Sequence, residues 1–209
     1  MTLAQRLPVN AAAMEVAVRI IHAGGVVGMP TDTFYGLAAD PFRADAVARV
    51  FAAKGRPAEL ALPLIAADPA QVEALIGGLP PMARALAGRF WPGPLTLVLA
   101  APPTIAAEVT GGGGTVGVRV PAHDVACALC RACGRVLTAT SANVSGEPAS
   151  ADPDEVERAI GSRIDLLLDA GRTAGGSPST IVDATGSTPR LVRAGAIAWD
   201  EVLACLDRG

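Results

Sequence analysis

The sequence predicts a single α/β domain, a twisted open mixed sheet flanked by helices. Segments with apolar residues at helical spacing alternate with short apolar runs that end at Gly or Pro. The last three strand-like runs follow one another without helices between them, which departs from a regular doubly wound sheet. The 209 residues are 51% hydrophobic and 18% charged, a composition suited to burying one large core and far from that of disordered chains.

Taken in order, Ala11–Gly25 has helical periodicity and a Gly24-Gly25 stop. Val26–Met29 is a short apolar strand ending at Pro30, and Arg43–Gly55 is a second helix with Lys54 at its C-terminal end. Ala61–Ala67 reads as a strand, and Asp68-Pro69 opens the next helix. "PPMARALAGRF" is a helix broken by Pro92, followed by the strand Leu95–Ala100. Thr115–Pro121 is a strand after four glycines, "DVACALCRACG" a short helix, and Arg135–Thr140 a strand running into "SANVSGEPAS". Asp152 caps a helix to Gly161, with Glu155 placed for a capping box. "IDLLLDAG", "STIVDAT" and "PRLVRAG" are strands, and "AWDEVLACLDR" is a closing helix.

A net charge of −3 gives no general attraction to nucleic acid or anionic membrane, so any anion site must be a local gathering of Lys and Arg. No segment reads as a targeting signal or bilayer span, and the expected location is cytoplasmic. Cys127, Cys130 and Cys133, with distant Cys205, are spaced superficially like iron–sulfur ligands. On a helix the same spacing places small buried hydrophobes on one face, and we favour packing.

Several stretches could carry chemistry. "PTDTFYG" offers Thr31, Asp32, Thr33 and Tyr35 directly after a buried strand, where α/β proteins place ligand loops. It could equally be a polar turn in which Asp32 bonds its own backbone. "KGRP" sets Lys54 and Arg56 around a glycine, a point charge beside a planar fork, although cations also suit a helix C-terminus for its own sake. Arg119 lies inside an apolar strand and must either reach solvent or pair with something buried. His123 reads as a surface or loop-capping residue. Thr138, Thr140, Ser141, Asn143 and Ser145 crowd one turn with hydroxyl and amide donors, and Ser179, Thr180 and Arg193 repeat the theme. No nucleophilic triad, zinc set or dinucleotide fingerprint is present. The inventory suits a phosphate-bearing small molecule.

In this order, "PTDTFYGLAADPF", "KGRP" with "LPLIAA", "FWPGPLTLVL", "GVRVPAH", "TATSANVSGEPAS", "STIVD" and "LVRAG" resemble the Sua5/YrdC/YciO family of threonylcarbamoyl-AMP synthases. The likeness runs from about Val26 to Gly195, in the short single-domain form without the C-terminal domain of longer Sua5 members. It implies a twisted open sheet with a concave, positively lined cavity. It also implies condensation of L-threonine, bicarbonate and ATP, with Mg²⁺, to threonylcarbamoyl-adenylate and diphosphate. A partner transferase complex would then use the product to make t6A at adenosine 37 of tRNA. The tRNA's part is thus indirect, and no membrane is involved.

Carried over by position, the resemblance gives Lys54 and Arg56 the phosphates and the developing charge. It gives Arg119 the threonine carboxylate, Thr33 and Tyr35 the amino-acid pocket, and Thr115, Ser141, Asn143 and Arg193 the nucleotide. Thr31, Thr140, Ser145, Ser179 and Thr180 are weaker candidates. Ala149 and Ala66 stand where some members carry Ser and His. Two rivals share the fold: a YciO-like paralogue with another acceptor, and an RNA-binding module, against which the acidic balance argues.

Overall fold

A computed structural model describes residues 4–55 and 61–207. Strand β1 (Gln5–Pro8) leads to helix α1 (Ala11–His22), where the Asn10 side chain accepts from the Ala13 N–H and satisfies one of the free N-terminal donors. Strands β2 (Val27–Met29) and β3 (Gly36–Ala38) pair antiparallel around the "PTDTFY" loop. Helix α2 (Ala44–Lys54) stops at Gly55, which is left-handed at φ 59°.

Strand β4 (Leu64–Ile65), helices α3 (Pro69–Ile76) and α4 (Pro81–Phe90), and strand β5 (Leu95–Ala100) follow. Next come α5 (Ala107–Thr110), β6 (Thr115–Arg119), α6 (Asp124–Cys133), β7 (Leu137–Thr138) and β8 (Thr140–Ser141). Helix α7 (Pro153–Ile160), strands β9 (Leu166–Asp169), β10 (Thr180–Asp183) and β11 (Arg190–Arg193), and helix α8 (Trp199–Leu206) complete the chain.

The fold is mixed α/β, and its strands divide between two sheets. One has the order β1-β9-β2-β3-β8 and the other β11-β10-β5-β6-β4-β7. The strand expected over Arg135–Thr140 is the junction between them. Thr138 pairs with Leu64 in the six-stranded sheet, whereas Thr140 pairs with Leu37 in the five-stranded one. Thr138 also accepts from the Ala39 N–H at 2.9 Å and donates to the Leu37 carbonyl at 3.0 Å, tying the sheets together where the chain changes over.

Alternate residues of the short strands feed two cores. Val26, Leu37, Leu64 and Leu167 join one with α4 and α8, while Val27, Ala38, Ile65, Leu166 and Leu168 join another with α1 and α6. Burial on both faces removes the polar half of the usual strand alternation, which is why these runs are continuously apolar. On β5, Leu95, Leu97 and Leu99 point into the larger core. Thr96 and Val98 point to the opposite face.

Some local expectations change. Asp152 does cap α7, but Glu155 bonds the Ser150 hydroxyl instead of returning to the cap N–H, which Ser150 accepts. The cysteines of α6 pack: Cys130 and Cys133 are buried, and burial lifts the Cys133 thiol to about 11 and Cys130 higher than its usual range.

Candidate functional site

The face of β5 bearing Thr96 and Val98 meets Gly117 and Arg119 of β6, Ile181 of β10, and the "PTDTFY" and Thr140–Ser141 segments of the other sheet around a cavity of about 580 Å³. Gly117 keeps this floor open: a Cβ there would lie 3.1 Å from Thr96 Cγ2. Val192 and Arg193 of the edge strand β11 form the rim, with Val192 55% exposed. The described lining includes Arg119 and Arg193 and no Asp, Glu, Lys or His.

Arg119 is only 8% exposed. Its partner is Asp32, with Nη2 3.1 Å from Oδ1. Burial pulls the guanidinium pKa down, Asp32 opposes that pull, and the charge of Arg193 adds to it. Arginine nonetheless remains charged. Asp32 therefore does not close a local turn; its Oδ2 accepts from the Ala122 N–H at 3.2 Å, a tertiary bond. The local turn is made by Thr31, whose hydroxyl donates to the Phe34 carbonyl at 2.6 Å and accepts from the Thr33 N–H at 3.2 Å.

At the opposite wall, Arg193 donates from Nη2 to the Ser179 carbonyl at 2.8 Å and hydroxyl at 3.1 Å. Ser179 Oγ also lies 2.9 Å from Thr96 Oγ1. Partial burial lowers the Arg193 pKa. Gly195 lets this corner close, because a Cβ there would fall 2.4 Å from Pro178 O and Thr180 N.

Of the residues expected at the site, Thr31, Thr33, Tyr35, Arg119, Thr140, Ser141, Ser179 and Arg193 line this one cavity. The Tyr35 hydroxyl is already committed, donating to Gly171 O at 2.7 Å and accepting from Ala170 N. Thr115 lies on the same face of β6 as Gly117 and Arg119 but beyond the described lining. Asn143 and Ser145 are likewise outside it.

Lys54 and Thr180 are not among the described lining residues. The Lys54 ammonium lies 3.5 Å from Oγ of the lining residue Ser141. Lys54 is 2% exposed, and its ammonium donates to the carbonyls of Ser141 and Asn143 and to Asn143 Oδ1, so it braces the 141–143 loop. Thr180 is a core residue whose hydroxyl donates to Ile197 O at 2.7 Å and accepts from Ile197 N at 2.9 Å. Arg56 lies outside the described residues. The two departures sort differently: Ala149 lines the cavity, while Ala66 is buried with its N–H on the Arg119 carbonyl. Sequence reading missed Thr96, which looked like one residue of an apolar strand, and the Asp32–Arg119 pairing across 87 positions.

A family model described as "Telomere recombination", covering Sua5, YciO and YrdC, matches residues 19–195. A threonylcarbamoyl-AMP synthase of Pyrococcus abyssi is 40% identical over 189 residues, 90% of this chain and 56% of that one. A threonylcarbamoyl-AMP synthase of Halorhodospira halophila is 45% identical over 155 residues, 74% of this chain and 81% of that one. Among solved structures, P. abyssi Sua5 complexed with L-threonine superposes with a TM-score of 0.91 at 37% identity, covering 98% of this chain and 61% of that one. The chain thus spans little more than half the length of the P. abyssi protein.

Proposed function

The chain belongs to the Sua5/YciO/YrdC family, and on that footing we propose that it is a nucleotidyltransferase making threonylcarbamoyl-adenylate from L-threonine, bicarbonate and ATP. The observation that carries this reading is the shared cavity: a buried arginine, a rim arginine and hydroxyls from two sheets converge on it, with no carboxylate in its described lining.

The chemistry asks for such a surface. The threonine amine adds to the carbon of bicarbonate, forming an N–C bond and releasing water, and a carbamate results. A carbamate oxygen then attacks the α-phosphorus of ATP, and the bond to the diphosphate breaks. Both reactants are anions, so the protein's work is alignment and charge neutralisation, with no covalent nucleophile required. Arg119 takes the carboxylate, as a planar fork can. Ser141, Thr140, Ser179 and Arg193 take phosphate and ribose oxygens, and Thr33 borders the amino acid. Lys54 contributes through the loop it braces and by placing positive charge beneath it. Arg56 keeps the phosphate role that the family resemblance gives it.

Magnesium belongs to the substrate. Triphosphate oxygens are hard ligands that suit Mg²⁺. The adenylate is then consumed by a transferase acting on tRNA.

The test is diphosphate release from ATP with threonine or bicarbonate withheld, and product identification by mass spectrometry. Release that requires both, with threonylcarbamoyl-adenylate as product, is expected. Release indifferent to threonine would instead mark a paralogue with another acceptor. RNA retention that falls steeply with salt, without diphosphate release, would mark a nucleic-acid module.

A further inference from the structure

We propose that Asp32 is a positioning residue for the amino-acid substrate: it holds the Arg119 guanidinium at the cavity while leaving part of the fork unspent for the incoming carboxylate. This rests on the reading that Arg119 binds that carboxylate.

Buried side-chain atoms without a hydrogen-bond partner are few in folded proteins, and each calls for a reason. Among the described residues they are Asp32 Oδ1, Arg119 Nη1 and His123 Nδ1. All three belong to one neighbourhood. Asp32 acts electrostatically on both Arg119 and His123, and Ala122, next to His123, donates to Asp32.

The geometry explains why the pair is incomplete. Ala122 fixes Asp32 through Oδ2, so Oδ1 comes within 3.1 Å of Nη2 yet takes no hydrogen bond from it. The charge of a buried arginine is compensated, which keeps it in place before substrate arrives. A fully bidentate Asp32–Arg119 bridge would satisfy the fork, and a substrate carboxylate would have to displace an anion tethered beside it. The misaligned pair avoids that competition. Nη1 is buried and takes no protein partner, on a residue that lines the cavity, so the fork keeps hydrogen-bonding capacity for an α-carboxylate.

Asp32→Asn preserves size and an acceptor for Ala122 while removing the charge. Threonine-dependent diphosphate release by this variant should show a threonine KM raised by about tenfold or more, with kcat at saturating threonine within about threefold and the ATP KM unmoved. In an Arg119→Gln background the same change should add nothing further, since Asp32 acts through Arg119. A threonine KM that stays put or falls overturns the proposal, and a fall would mean that Asp32 only competes with substrate. Should Asp32→Asn not fold, Asp32→Glu keeps the charge but shifts its reach; a threonine KM raised several-fold is expected there, and an unchanged one overturns the proposal. Wild-type protein that ignores threonine sinks the functional reading and this one together. A normal wild-type response with an unmoved variant sinks this one alone.

Discussion

Arg119 and Lys54 are both buried cations, and their surroundings give them different work. Arg119 lines the cavity and keeps a buried Nη1 without a partner; Lys54 donates to the carbonyls of Ser141 and Asn143 and to the Asn143 side chain. Arg119→Gln should therefore act on binding. Losing a charge-assisted hydrogen bond of about 1.5–3 kcal/mol raises the threonine KM by about 10- to 100-fold, with the fold and the ATP KM retained. Unchanged threonine saturation would remove Arg119 from the carboxylate. Lys54→Ala should act on stability as well as activity. It leaves buried acceptors unsatisfied, at a cost of about 1–3 kcal/mol, which a denaturant melt would register as a lower midpoint at unchanged slope. A variant as stable as wild type would contradict the bracing role.

At the scale of elements, the hairpin of β10 and β11 carries Arg193 to the rim. Its ends are clamped by Arg190 Nη2, 2.6 Å from Asp183 Oδ2. The Thr185 hydroxyl and N–H bond the Asp183 carboxylate, with Arg190 adding to them, and together they hold its pKa below the usual carboxylate range. A carboxylate depressed in the folded state stabilises above its unfolded pKa, about 3.9, and loses that contribution as pH falls through the lower folded value. Asp183→Asn should therefore melt below wild type at neutral pH, and the gap should close in acid beneath about pH 4. A gap independent of pH would mean that packing, not ionisation, is responsible. In the floor, Leu97 is fully buried on β5. Leu97→Ala should cost about 2–5 kcal/mol, the range for emptying a well-packed site.

For the whole molecule, the cavity exists because two sheets meet, and neither sheet carries it alone. Ligands that bridge them bind only the folded state. Threonine at about a hundred times its Kd should stabilise by about 2.7 kcal/mol, a rise of about 5–10 °C in Tm for a domain of this size. The Arg119→Gln variant should lose most of that shift at the same concentration. A rise undiminished in the variant would place the amino acid elsewhere.

Helices α1, α2, α3, α4, α6, α7 and α8 were legible in the sequence because caps, glycine stops and apolar spacing are local signals. Strand β5 was legible from end to end, since Gly93-Pro94 and Ala101-Pro102 bracket it. Strands β1 and β3 were missed: "QRLP" and "GLA" are too short to show a period, and they are strands only because β9, β2 and β8 supply their hydrogen bonds. The site divided the same way. Thr33, Ser141, Ser179 and Arg193 were recognised by residue type and by matching motifs, while Thr96 was hidden inside an apolar run.

By itself the sequence determined the family, the helices with their ends, and the stock of cations and hydroxyls, all of which are written in residue types a few positions apart. Only the tertiary structure decided that Thr138 and Thr140 serve different sheets, that Lys54 turns inward and that Asp32 meets Arg119. The reason is that burial and charge pairing depend on which segments come together in space, and a side chain's partner across 87 residues leaves no mark on its neighbours in the chain.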